Sequence, residues 1–142
     1  MNMIDRRPFP AAFPILFGEK ERILSLSAGP GWHQLIWDLC VALEGMAGQQ
    51  MAAGQQPMRV AQVKEKYGTL RFYLTGGSVT DEAFELTEVA EDQSGTICES
   101  CGKPGKTGLV GDWSLTYCPK HRREALKKAR DRRKSAAGPG SN

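Results

Sequence analysis

No stretch of this 142-residue chain approaches the roughly 20 consecutive apolar residues that a bilayer-spanning helix needs. The start, Met1 to Pro8, carries charge but no apolar core after it, because Pro8, Pro10 and Pro14 interrupt the stretch. No signal peptide is therefore expected, and the expected compartment is the cytoplasm. Cysteine is scarce, with four residues. Three of them fall into a metal-ligand pattern, which leaves no disulfide framework of the kind that staples small secreted domains. The fourth, Cys40, lies in a helical pattern and reads as a small buried apolar residue. Histidine is scarcer still, with two residues. No internal repeat is present. At 40% hydrophobic and 25% charged, the composition is that of an ordinary globular domain with a modest core.

The pattern that is present is Cys98-x-x-Cys101 followed, after sixteen residues, by Cys118-x-x-His121. The knuckle Thr96-Ile97-Cys98-Glu99-Ser100-Cys101-Gly102 can present two thiolates from one turn. Cys118 and His121 are i and i+3 on the first turn of a helix and face the same way. Three soft sulfurs and an imidazole in a closed set favour structural zinc. A catalytic zinc keeps an open position, and a treble-clef nuclease needs an extra histidine as general base. With four ligands assigned and only His33 left over, distant in sequence, a hydrolase or nuclease is disfavoured. The chain is expected not to be an enzyme.

Around this site the chain reads as α+β: a helix, a β-hairpin, a second helix and a C-terminal treble-clef-like zinc module. Residues 1 to 94 form the body, 95 to 134 the module ending in a basic helix, and 135 to 142 a flexible tail. The first 18 residues are Pro-rich and expected to be irregular, anchored by Phe9, Phe13 and Phe17. From Trp32, apolar residues at 32, 35, 36, 39, 43 and 46 have helical spacing, fraying after Gly48. Arg59 to Leu74 predicts a hairpin turning at Tyr67-Gly68, with Glu65 opposite Leu70, Val63 opposite Phe72 and Ala61 opposite Leu74. Tyrosine is a poor residue for positive φ, so a four-residue loop is expected rather than a two-residue turn. Thr80 caps the next helix, whose buried stripe is Ala83, Leu86, Val89 and Ala90. Strand character returns around Trp113, Leu115 and Tyr117, and the last helix runs from about Pro119 to Lys134.

The net charge of +3 conceals an asymmetry: residues 119 to 134 hold nine Lys/Arg and two Asp/Glu, so the rest of the chain is acidic. Arg122, Arg123, Lys127, Lys128, Arg130, Arg132, Arg133 and Lys134 are candidate nucleic-acid contacts; a solvated terminal helix is the ordinary alternative. With no Asn, Gln or aromatic residue among them, any nucleic-acid binding by the helix is expected to be sequence-independent. The hairpin's polar face is the second candidate surface. Lys64 faces Arg71 across the ladder with Lys66 and Tyr73 beside them, and like charges so placed cost stability unless an anion or acidic partner sits there. The alternative is that Glu65 or a carboxylate from 81 to 92 offsets the charge.

The run Val63-Lys64-Glu65-Lys66-Tyr67-Gly68-Thr69-Leu70-Arg71-Phe72-Tyr73, the turn Cys98-Glu99-Ser100-Cys101-Gly102-Lys103-Pro104-Gly105, and Trp113 before Cys118-x-x-His121 together resemble a family of small zinc-binding proteins. These are encoded by bacteria, phages and prophages and have no established activity. The likeness covers about Gly31 to His121 and leaves out the basic terminus. It implies a phage or mobile-element setting, and with it the cytoplasm of a bacterial host. The function expected is a non-enzymatic binding protein that engages a host macromolecule such as a defence component, inhibition being one form that engagement could take. The partner would be a host protein or ribonucleoprotein complex. A nucleic-acid-binding accessory or regulatory protein is the alternative.

Overall fold

Phe9, Phe13 and Phe17 recur every four residues, which places them on one side of a helical path. The computed structural model, which describes residues 3–18 and 26–136, shows two one-turn helices there, α1 (Phe9–Ala12) and α2 (Pro14–Phe17), instead of the irregular segment expected. Proline suits a first helical turn because the N–H it lacks would be unsatisfied anyway. The free N–H groups of Ile15 and Leu16 each donate to a carboxylate oxygen of Glu44 at 3.0 Å. All three phenylalanines are buried, and Phe9 and Phe13 meet Trp37 edge-on. They anchor the segment as their spacing implies.

Strand β1 (Leu26–Ser27) is too short to show in the sequence pattern; it lies parallel to β2 (Arg59–Lys66), with Leu26 beside Val63. A 3-10 turn at Pro30–Trp32 leads into α3 (His33–Ala52). Ile36, Leu39, Cys40, Leu43, Ala47 and Gln50 form its buried face, so the helix continues past Gly48 rather than fraying there. Gln50 explains the extension. Its amide donates to the Ser78 carbonyl at 2.6 Å and its oxygen accepts from the Met58 N–H at 2.9 Å, which ties the last turn to the loop that follows it and to the more distant loop at Ser78. Cys40 is a free thiol in this core, and burial pushes its pKa up.

Strands β2 (Arg59–Lys66) and β3 (Thr69–Thr75) form the expected hairpin, with Glu65 opposite Leu70 and Val63 opposite Phe72. Two details differ. Leu74 pairs with Val60, not Ala61, across a register shift between Val60 and Gln62. Val60 and Val63 are both fully buried, yet residues three apart point to opposite faces of a regular strand. An extra residue, the exposed Ala61, puts both valines on the core side. The turn is also tighter than expected: Tyr67 has φ 55 and Gly68 φ 86, and Lys66 pairs directly with Thr69. A non-glycine residue in this region costs about 1–2 kcal/mol. One local and one tertiary contact hold it: Gly68 donates to Glu65 Oε2 at 3.1 Å, and its carbonyl accepts from the distant Thr116 hydroxyl. Tyr67→Asn should therefore raise stability by about 1 kcal/mol, since asparagine tolerates this geometry. A lower melting temperature would show that the ring, which lies under the Lys66 ammonium at 5.5 Å, matters more than the backbone.

Helix α4 (Asp81–Ser94) is capped as expected, with the Ala83 N–H donating to Thr80 Oγ1 at 3.1 Å. Its buried stripe is Ala83, Thr87, Ala90 and Ser94; Leu86 is half-buried and Val89 is 53% exposed. The difference follows from where the helix sits. It lies along the edge of β3, where Ser94 Oγ accepts the Leu70 N–H at 2.8 Å and Glu91 Oε2 the Phe72 N–H at 2.9 Å. Side chains thus satisfy an edge that would otherwise invite another strand. The sheet order is β1-β2-β3, with α1, α2, α3 and α4 supplying the rest of the core.

A second, two-stranded sheet follows, β4 (Lys106–Val110) and β5 (Trp113–Tyr117), and then α5 (Pro119–Ala136). The helix takes in Ser135 and Ala136 of the expected tail; residues 137–142 lie outside the described residues. The protein is thus mixed α+β, with helices and small sheets. No described helix is long and apolar enough to cross a membrane.

Candidate metal centre

Cys98 and Cys101 lie on a tight turn closed by backbone hydrogen bonds. The Cys98 N–H donates to the Lys103 carbonyl at 2.7 Å, and the Gly102 N–H returns to the Cys98 carbonyl at 2.9 Å. Gly102, at φ 81, supplies the left-handed step that lets the chain fold back. Ile97 and Pro104 bridge the two arms of the turn. Cys118 immediately precedes α5, and its carbonyl accepts the Arg122 N–H at 2.9 Å, so Cys118 and His121 share the first helical turn.

The four sequence-derived ligands converge. The sulfurs of Cys98, Cys101 and Cys118 and a nitrogen of His121 all lie within 4.8 Å of one another and could hold a metal ion. Cys101 Sγ is 3.8 Å from Cys118 Sγ, and His121 Nδ1 is 3.6 Å from Cys98 Sγ and 3.2 Å from Cys118 Sγ. A disulfide would bring two sulfurs to about 2.05 Å; all four cysteines are free thiols instead. The His121 N–H pulls the Cys118 thiol down to about 6, a shift toward the thiolate that metals bind. Cys101 is pushed up, by desolvation first and then by its neighbouring sulfurs. His33 shares a shallow groove with Cys101 but stacks on Trp37, centroids 5.6 Å apart and 16° from parallel, and is not one of the cluster.

Several residues that hold this centre carry no motif. The Trp32 indole N–H donates to the Ile97 carbonyl at 2.9 Å, and the Gly31 N–H to the Glu99 carbonyl at 2.9 Å. Both tie the knuckle to the start of α3. Glu99 is 4% exposed. Its backbone pairs with Thr116, and its carboxylate accepts the Thr116 N–H at 3.0 Å. Burial pushes that carboxyl up to about 7 against the pull of this hydrogen bond. The Gly29-Pro30-Gly31 run was the available signal, because closely spaced glycines mark places where backbones meet.

The hairpin candidates share one face of β2–β3, exposed among them at Lys66 and Tyr73 only. Lys64 pairs with Arg71 as the spacing implies. Lys66 is exposed, Tyr73 is 43% exposed, and Lys64 and Arg71 are half-buried. No carboxylate among the described residues forms an ion pair with Lys64, Lys66 or Arg71. Glu65 and Glu91, the neighbours that could have offset them, accept the backbone N–H groups of Gly68 and Phe72 instead.

The α5 candidates divide. Arg123, Lys127, Lys128, Arg130, Arg132, Arg133 and Lys134 are exposed and without ion pairs among the described residues. Arg122 is not a free cation arm: its guanidinium donates to the Lys106 carbonyl and, at 3.4 Å, to the Leu115 carbonyl, fastening α5 to the β4–β5 hairpin. No family model, curated protein or solved structure matches this chain.

Proposed function

We propose that this chain is a non-enzymatic, zinc-containing binding protein of phage or prophage origin whose β2–β3 polar face engages a host macromolecule, a defence component being the favoured target. The phage setting rests on the resemblance of the hairpin and knuckle motifs. Zinc rests on the donor set and its spacing. Bonds of about 2.3 Å to sulfur and 2.0–2.1 Å to nitrogen place tetrahedral ligand atoms roughly 3.6–3.8 Å apart. The cluster's 3.8 Å and 3.6 Å separations match that, and 3.2 Å is slightly short. Knuckle, β4–β5 hairpin and α5 follow one another in the order of a treble clef. The ion would be structural: three sulfurs and one imidazole fill a tetrahedron and leave no position for a reacting water.

The observation that carries the binding role is the row of cations, Lys64, Lys66 and Arg71, left without carboxylates although glutamates lie next to them. Facing like charges cost stability, and an acidic partner would offset that cost. Reversing all three to Glu is expected to abolish capture of the partner from host lysate while the melting temperature holds. If the triple variant captures the same partner as fully as wild type, the face is only a solvated surface.

A second reading is favoured by α5. It has no buried residue, and neighbouring cations one turn apart repel, so a polyanion would stabilise it. That makes the chain a sequence-independent nucleic-acid-binding accessory protein. Duplex affinity that falls steeply with salt supports this reading, and absence of binding at low salt removes it.

A further inference from the structure

The two cationic elements are joined through the β4–β5 hairpin. Gly68, in the turn that joins β2 to β3, sits on β4 and β5: a Cβ there would come within 3.0 Å of Thr107 Cγ2 and 3.1 Å of the Leu115 nitrogen. The Thr116 hydroxyl holds the Gly68 carbonyl from the same side. The residue before Thr107 is Lys106, itself exposed, and its carbonyl is the one that the Arg122 guanidinium grips. Two short steps therefore lead from the tip of the hairpin to the first turn of α5.

Aromatic rings are interleaved with the hairpin cations. Tyr73 is 43% exposed next to Arg71's strand position, and Tyr67 is 70% exposed at the apex. Glu65, between Lys64 and Lys66 in sequence, and Glu91, beside β3, accept backbone N–H groups and form no ion pair with these cations. Cations beside exposed rings, with the neighbouring glutamates engaged by backbone N–H groups, fit a chain that carries both phosphates and free base faces. A duplex presents phosphates but keeps its base faces stacked, so it would make no use of the tyrosines.

We propose that the β2–β3 polar face and α5 form one surface for a single-stranded polynucleotide, with bases stacked on Tyr67 and Tyr73 and phosphates on Lys64, Lys66, Arg71 and the cations of α5. This rests on the reading of the hairpin face as the binding surface and names the chemistry of its partner.

The test uses the full chain with its metal and a labelled, unstructured DNA strand of about 15 nucleotides, matched to a few stacking sites, beside the duplex of the same sequence. The strand is expected to bind more tightly than the duplex. Tyr73→Ala is expected to weaken strand binding by roughly 5- to 150-fold, the effect of losing one base–aromatic stack, and to leave duplex binding through α5 in place. Tyr73→Phe, which keeps the ring, should restore the strand affinity; both variants should show the wild-type circular dichroism. A duplex bound as tightly as the strand, no strand binding at low salt, or a Tyr73→Ala protein with unchanged strand affinity would each overturn the proposal. None of these would touch a protein partner lost on reversing Lys64, Lys66 and Arg71, so the two readings fail separately.

Discussion

Stripping the metal with a chelator is expected to unfold the segment from Thr96 to Ala136 while the body of the protein stays folded. The reason lies in what holds each part. The body has a continuous core running from Ile4 to Ala90. Beyond Ser94 the chain offers a two-stranded hairpin and a helix with no buried residue, and an isolated hairpin is marginal in water. A Cys-rich zinc site of this kind supplies about 10–16 kcal/mol, more than such elements could provide themselves. Circular dichroism should register the loss of α5, and amide spectra should show the α3 and β2–β3 signals little changed. Cys98→Ser should reproduce the chelated state without a chelator. A helical signal that survives complete metal removal would mean that Arg122, Glu99 and Thr116 hold the module unaided.

Gly31→Ala is expected to be the most damaging single substitution away from the ligands. A Cβ at this position would lie 2.0 Å from the Cys98 carbonyl oxygen and 2.6 Å from the Gly102 nitrogen. Both obstacles are backbone atoms of the ligand turn, so neither can swing aside. Either the knuckle moves off α3, breaking the Gly31–Glu99 hydrogen bond, or the turn distorts and the sulfurs separate. The cost should be on the order of 4 kcal/mol, read as a lower urea midpoint, with weaker metal retention alongside. Gly45→Ala is the matching control. It lies in α3 with nothing within 4 Å of its Cβ position, and it should stabilise by roughly 0.5–1 kcal/mol through helix propensity alone. Equal effects of the two substitutions would contradict the close docking of knuckle on helix.

The legible parts of the sequence were those set by local geometry. Two cysteines three apart and a cysteine three before a histidine describe a chelate whatever surrounds them. Thr80 before Asp81 and Glu82 likewise describes a helix start that needs no tertiary help. What could not be read depended on distant residues. The bulge at Ala61 exists because Val60 and Val63 both face the core, and only the packed sheet decides that. Tyr67 adopts positive φ because Gly68 is gripped by Thr116, forty-eight residues away. Val89 falls outside the buried stripe of α4 because the helix turns Ser94 and Glu91 toward the bare edge of β3. Glu99 reads as a polar residue of an exposed knuckle, yet it is buried because the Gly29–Gly31 segment closes over it. Arg122 looks like any other cation of the basic helix until β4 supplies the carbonyl that holds it.

The metal content of the intact chain tests the Cys98, Cys101, Cys118 and His121 centre most directly. Native mass spectrometry of protein purified without chelator should show about one zinc per chain, and the same for Cys40→Ser, whose thiol is buried in the core. Cys118→Ser and His121→Ala should each lose most of it. Less than about half an equivalent of zinc in the wild-type protein, or loss of zinc in the Cys40→Ser variant, would contradict a structural zinc at this site.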